Sequence, residues 1–206
     1  MTASTTRPRC PACDLPLATC VCALVERVDN AVDVLVLQHP LEVREAKGSA
    51  RLLWLGLARC RVIVGETFEP SVLESLLHAD GRRSVLLYPD VATRADVTNV
   101  EPAMTMETPP TQLVVLDGTW RKSVKMLMSN APLQALPRLA LSPDAAGRYG
   151  ALRKARLASQ LSTLEATCAA LAALECDEAR YAPMLRAFER FVDDRAARRP
   201  VEATAQ

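Results

Sequence analysis

Three residues able to do chemistry stand together at the end of a short apolar run. Leu113-Val-Val-Leu116 leads into Asp117, Gly118, Thr119 and Trp120. Four consecutive apolar residues fit a buried strand, and Gly118 frees the backbone to turn before a helical pattern that begins near Arg121. In an open α/β sheet, ligands bind in the crevice beyond the carboxyl ends of the strands. A carboxylate delivered there can accept a proton or orient a base, a hydroxyl can donate a hydrogen bond, and an indole can stack on a flat ring. The same octet also fits an ordinary strand–turn–helix corner, with Thr119 or Asp117 capping the helix and Trp120 packed in the core.

The second group with chemistry is made of sulfur. Cys10, Cys13, Cys20 and Cys22 fall within thirteen residues as Cys-x2-Cys-x6-Cys-x-Cys. Four thiolates this close favour a metal, and tetrahedral zinc is the natural guest; a redox pair or an iron–sulfur cluster are the alternatives. With every position filled by protein, such a zinc would be structural, holding a segment too short to build a core of its own. Cys60, Cys168 and Cys176 lie in apolar surroundings and read as small core residues.

The elements that must position these groups alternate between short β-rich runs and helical stretches. That pattern predicts an α/β fold with a mainly parallel sheet flanked by helices. The expected strands are 32–37, 61–64, 85–88, 113–116 and 138–141, and the expected helices 49–58, 71–79 and 121–129. Residues 92–112 read as a long connection. Two amphipathic helices follow, one carrying Leu164, Cys168, Leu171 and Leu174, the other Met184, Leu185, Phe188, Phe191 and Val192. Ser162-Thr-Leu-Glu165 has the spacing of a capping box. The first strand runs into Gln38-His39-Pro40-Leu41-Glu42 and the third into Tyr88-Pro89-Asp90, where the X-Pro steps impose extended exits. His39 is one of only two histidines; a lone histidine is more often a satisfied structural group than a catalyst, and His78 reads as structural.

At 206 residues the chain suits one domain with a small appendage: a cysteine-rich segment 1–28, a main domain 29–199 and a frayed tail 200–206. Its net charge of +1 excludes binding of polyanions through bulk charge, so any nucleic-acid contact must come from a local patch. No apolar run reaches membrane-spanning length, and the first residues lack the apolar core of a signal peptide. The expected compartment is the cytoplasm, where cysteines stay reduced. The chain has no Gly-x-Gly-x-x-Gly after the first strand, no Walker loop and no Gly-x-Ser-x-Gly elbow.

Taken in order, these segments resemble the DTW-domain family, named for its Asp-x-Thr-Trp motif. The resemblance runs from Cys10 to about Leu174. It comprises the cysteine cluster, His39-Pro40-x-Glu42, Ser49-Ala-Arg51-Leu52, Tyr88-Pro89, Leu116-Asp117-Gly118-Thr119-Trp120 with Lys125-Met126, Leu136-Pro137, Tyr149-x-x-Arg153 and Ser162-Thr163-x-Glu165-Ala166. Many members have Asn-Thr where this chain has Gly48-Ser49, so one polar side chain is missing here. The resemblance implies a tRNA-uridine aminocarboxypropyltransferase that moves the 3-amino-3-carboxypropyl group of S-adenosylmethionine to uridine N3, leaving 5′-methylthioadenosine. It also implies a fold akin to the knotted SPOUT methyltransferases, tRNA as partner, and no obligatory protein partner. Methyl transfer and a non-catalytic, zinc-stabilised RNA-binding module are the competing readings.

On that resemblance the expected catalytic residues are Asp117, Thr119 and Trp120. The expected donor-binding residues are His39, Glu42, Tyr88, Pro89, Leu116, Gly118, Arg153, Ser162, Thr163 and Glu165. Basic clusters at Arg148, Lys154 and Arg156 (beside Tyr149) and at Arg121 and Lys122 are the expected tRNA contacts, with a solvated helix face as the plainer reading. An aspartate with an ordinary pKa of about 3.9 is a weak base for a uridine N3 proton. Either burial beside Trp120 raises it, or Asp117 serves by hydrogen-bonding the uracil edge.

Overall fold

The structure is a computed structural model that describes residues 8–45, 48–89, 108–141 and 161–198. Five strands form one sheet: β1 (Asp33–Gln38), β2 (Cys60–Val64), β3 (Ser84–Leu87), β4 (Gln112–Asp117) and β5 (Arg138–Leu139). They lie in the order β2-β1-β4-β3-β5, and every neighbouring pair is parallel. The helices are α1 (Ala50–Gly56), α2 (Pro70–His78), α3 (Trp120–Ser129), α4 (Ala131–Gln134), α5 (Thr163–Glu175) and α6 (Ala182–Ala197). The parallel α/β architecture expected from the alternating pattern is therefore present, with element ends shifted by a residue or two.

Alternate residues of the central strands divide between two apolar cores, as the two-residue period of a strand requires. Val34, Val36, Leu113 and Val115 pack with α1, α5 and α6 on one face. Leu35, Leu37, Val114 and Leu116 pack with α2, α3 and α4 on the other. A parallel sheet covered on both faces needs near-continuous apolar strands, and β4 is buried along its whole length. The first core also takes in Cys10, Cys13, Leu15 and Val21, so the cysteine-rich segment shares the core of the main domain. A Cβ on Gly56 would run into Met184 and Val25; only glycine lets α1 approach both α6 and the cysteine-rich segment so closely.

Ser162 caps α5 as its spacing implied: Glu165 N donates to Ser162 Oγ at 3.2 Å and Ser162 N to Glu165 Oε2 at 2.8 Å. Cys168 is fully buried. Cys176 corrects its expectation. It is exposed, because it ends α5 in the left-handed region at φ 52°, where the chain turns outward. Arg138–Leu139 is shorter than the strand expected over 138–141. Among the described residues no helix is long and apolar enough to cross a membrane. The connections 90–107 and 142–160, on whose paths a SPOUT-type knot depends, lie outside the described residues.

Candidate active site

Parallel pairing of β1 with β4 sets Gln38 opposite Asp117. At the carboxyl edge Gln38 Nε2 donates to Asp117 Oδ2 at 2.8 Å. Thr163, the first residue of α5, donates its hydroxyl to Asp117 Oδ1, also at 2.8 Å. Asp117 is only 6% exposed. Burial pushes its carboxyl above the ordinary value, the hydrogen bonds from Gln38 and Thr163 pull the other way, and the charge of Glu42 adds to the push.

The exit of β1 builds the next wall. Leu41 N donates to His39 Nδ1 at 3.1 Å, which leaves the ring proton of neutral His39 on Nε2. Nε2 lies 2.8 Å from Glu66 Oε2, so His39 is a satisfied donor that ties the loop after β1 to the loop after β2. Glu66 also holds Lys125 of α3 at 2.8 Å, and those two groups keep its carboxyl below the usual range, Lys125 more than His39. Asn130 fixes this loop, donating to Glu66 O at 2.9 Å and accepting from Phe68 N at 2.9 Å. Lys122 pairs with Glu42 at 2.7 Å. Glu42 and Glu66 thus each hold a lysine, whereas Asp117 forms no ion pair among the described residues.

Trp120 is 54% exposed, so the core-packing reading of the motif does not hold. Its ring stacks on buried Tyr88, with centroids 5.5 Å apart and planes 22° from parallel; the Arg138 guanidinium lies 5.6 Å over the Tyr88 ring centroid. Burial raises the Tyr88 phenol above its ordinary value. Thr119 occupies the N-cap of α3 without a side-chain cap bond and is exposed, as is Pro89. Gly118 is half-buried and Leu116 is buried in the second core. Ser49 Oγ accepts from Leu164 N at 3.3 Å, joining the starts of α1 and α5.

The fold therefore brings Asp117 and Thr163 into direct contact, stacks Tyr88 on Trp120, and places His39 and Glu42 on the adjoining loop. Ser162 and Glu165 serve the cap of the same helix that supplies Thr163. Lys122 faces Glu42, while Arg121 is exposed. Arg148, Arg153, Lys154 and Arg156 lie outside the described residues. Gln38, Glu66, Arg138 and Asn130 escaped the sequence reading as site residues. For Gln38 a polar residue closing an otherwise apolar strand was the available signal; nothing local marks Glu66.

The four clustered cysteines converge. Cys10 Sγ and Cys22 Sγ are 3.7 Å apart, as are Cys13 Sγ and Cys20 Sγ, and all four sulfurs lie within 4.8 Å of one another. Tetrahedral zinc with bonds of about 2.3 Å separates its sulfurs by roughly 3.8 Å, whereas a disulfide needs about 2.05 Å. Backbone amides of Cys13 and Ala12 hold the Cys10 thiol down to about 6, whereas burial and the neighbouring sulfurs push Cys22 up to about 12, the crowding that a bound cation would relieve. The donor set fits a metal ion.

A doubly covered parallel sheet, with a hydrogen-bonded carboxylate at its carboxyl edge and a four-cysteine metal-type knuckle in its core, defines an α/β protein of the class in which ligands sit at the strand ends. The DTW domain matches residues 7–196, and the chain belongs to the DTW-domain family. It is 30% identical over 177 residues to the tRNA-uridine aminocarboxypropyltransferase 2 of Drosophila melanogaster, covering 82% of this chain and 67% of that protein. No solved structure matches this chain.

Proposed function

We propose that this protein transfers the 3-amino-3-carboxypropyl group of S-adenosylmethionine to N3 of a tRNA uridine, forming acp3U and releasing 5′-methylthioadenosine. The observation that carries this reading is Asp117: buried, pinned by two neutral donors, and free of ion pairs among the described residues, beside an exposed indole at the sheet edge. The N3–Cγ bond forms as the Cγ–S bond breaks, its electron pair going to sulfur. Asp117 takes the N3 proton, for which its raised pKa makes it a better base than an exposed aspartate. Trp120 stacks on the uracil, and Thr119 donates to the base. The sulfonium activates the methyl group as well, so the site must select the γ-carbon by aim.

The donor is held at the strand ends by His39, Glu42, Tyr88, Pro89, Leu116, Gly118, Arg153, Ser162, Thr163 and Glu165, most of them through the geometry they impose on this edge. Arg148, Lys154, Arg156 and Arg121 track tRNA phosphates, with Lys122 at the border of that surface. Cys10, Cys13, Cys20 and Cys22 hold structural zinc, which braces the cysteine-rich segment against the main domain. The fold is a SPOUT-like knot, and the protein works in the cytoplasm.

The test is mass spectrometry of tRNA nucleosides from cells with and without the gene. An aminocarboxypropyl-uridine lost on deletion, and restored by wild type but not by Asp117→Ala, is the expected result. Transfer from methyl-labelled but not carboxyl-labelled donor by purified protein would replace the reading with methyl transfer. Transfer from neither would leave an RNA-binding module.

A further inference from the structure

Two guanidinium groups, on helices that pack against the cysteine-rich segment, are incompletely satisfied among the described residues. Arg51 of α1 is 8% exposed and donates to Val43 O at 3.2 Å, yet its buried Nε has no acceptor among the described residues. Its guanidinium lies 5.4 Å over the Trp54 ring centroid. Arg195 of α6 lies 4.9 Å over the Phe191 ring centroid, and its buried Nη2 likewise has no acceptor among the described residues. Burial disfavours the charge on Arg195, Arg198 and Arg51 add to that, and Asp194 opposes them without offsetting them. A buried donor left without an acceptor keeps its desolvation cost uncompensated, and the cost is larger when the group is charged. Two neighbouring cations in that state call for an anion.

The knuckle is where one belongs. Burial also disfavours the charge on Arg51, and Cys13 and Asp14 oppose that effect; Asp14 is already taken by Arg9 at 2.8 Å. Cys10 and Cys13 share one core with Leu52 and Leu53 of α1 and Phe188 and Phe191 of α6. α6 is fastened to the knuckle on both sides of Arg195, by Arg190 to Leu24 O at 3.0 Å and Arg198 to Ala18 O at 2.7 Å. A divalent ion bound by four thiolates would keep two negative charges, which beside an apolar core must be offset by N–H donors and cations. The cysteine site has anionic charge in excess, and the helices packed on it carry two cations in want of acceptors.

We infer that Arg51 and Arg195 are the charge-compensating partners of the metal-bound cysteine cluster, and that Arg51 ties the cluster to the loop of His39 and Glu42 through Val43. This rests on the reading of the four cysteines as a metal centre. Groups outside the ligand set that orient and tune it typically contribute 10–100-fold in metal affinity. Arg51 carries the larger share, because it is the more deeply buried of the two and also holds Val43 O.

The experiment compares the zinc-loaded full chain with Arg51→Met, Arg51→Lys and Arg195→Met. Zinc transfer to an excess of colorimetric chelator is expected to be about 10–100-fold faster in Arg51→Met, less so in Arg195→Met, and partly restored in Arg51→Lys, which keeps the charge. In cobalt-substituted protein, the thiolate-to-metal absorption band shifts in Arg51→Met, which a packing defect alone would not produce. Stripping the metal from wild type should speed amide exchange at Leu41 and Glu42, which donate to His39 Nδ1 and to His39 O. In Arg51→Met that exchange is fast from the start. Equal zinc release and an unshifted cobalt band in all three variants would overturn the inference while leaving the metal centre standing. A wild-type chain without bound metal would overturn both. If Arg51→Met does not fold, Arg51→Lys and Arg195→Met decide by the same readouts.

Discussion

The knuckle and the sheet edge are held in opposite ways. The knuckle closes locally, through two single-turn 3-10 segments, Leu17–Thr19 and Cys22–Leu24, and its four sulfurs are drawn together over a span of thirteen residues. At the edge, Asp117 is held by partners 79 and 46 positions away, from a neighbouring strand and a helix start. The knuckle's four sulfurs fit a metal guest, whereas the edge is satisfied by protein donors and rests on the sheet's own ladder. The contrast teaches that one site is assembled by neighbours in sequence and the other by distant ones, although both pack on the same sheet.

The strongest way to break the comparison is to remove the guest. Structural zinc contributes on the order of 10–16 kcal/mol in peptides of this kind. Replacing Cys10, Cys13, Cys20 and Cys22 with serine should take bound metal from about one equivalent to near zero. Amide protection should vanish over residues 8–25 and persist in β1 and β4, as read by hydrogen exchange. Collapse of the whole sheet would mean that the two supports are one.

At the edge, Asp117→Ala should lower kcat by about 10²–10⁴-fold, with far-ultraviolet circular dichroism unchanged. Gln38→Leu removes a hydrogen bond to the charged carboxylate, a loss of about 1.5–3 kcal/mol. Because that bond favours the ionised form, its loss moves the acid limb of the rate profile to higher pH. Trp120→Ala should weaken binding of a uridine-containing oligonucleotide by about 1–3 kcal/mol while barely moving the Tm, since the ring is half exposed. The smallest effect is one of stability. Asp117 has a pKa raised on folding, so its stabilising contribution is whole below the ordinary carboxylate value and is lost as pH rises through the folded value. The Tm of wild type relative to that of Asp117→Asn should therefore fall as pH rises from the ordinary carboxylate range to neutrality, as read by thermal melts across that window.

Much of this molecule can be read from its residues because the relevant physics is local. Apolar runs bounded by prolines, glycine and polar residues mark the strands, Ser162 and Glu165 three positions apart mark the start of α5, and the cysteine spacing marks a metal-type knuckle before any fold is known. Asp117 at a strand end marks the edge. The partners of these groups are another matter. Thr163 reads as a donor-binding residue, yet its hydroxyl goes to Asp117; Lys122 reads as a phosphate contact, yet it meets Glu42; Cys176 reads as core, yet the helix ends there and turns it outward.

By itself the sequence determined the alternation of strands and helices, the caps and the four-sulfur cluster, since each depends on neighbours a few residues away. Only the tertiary structure decided that Gln38 flanks Asp117, that Glu66 joins His39 to Lys125, and that Arg190 and Arg198 of α6 reach Leu24 and Ala18 of the knuckle. Those pairings follow from the register of β1 against β4 and from the packing of α1 against α6. Register and packing are settled by burial summed over the whole sheet, and no short stretch of sequence contains that sum.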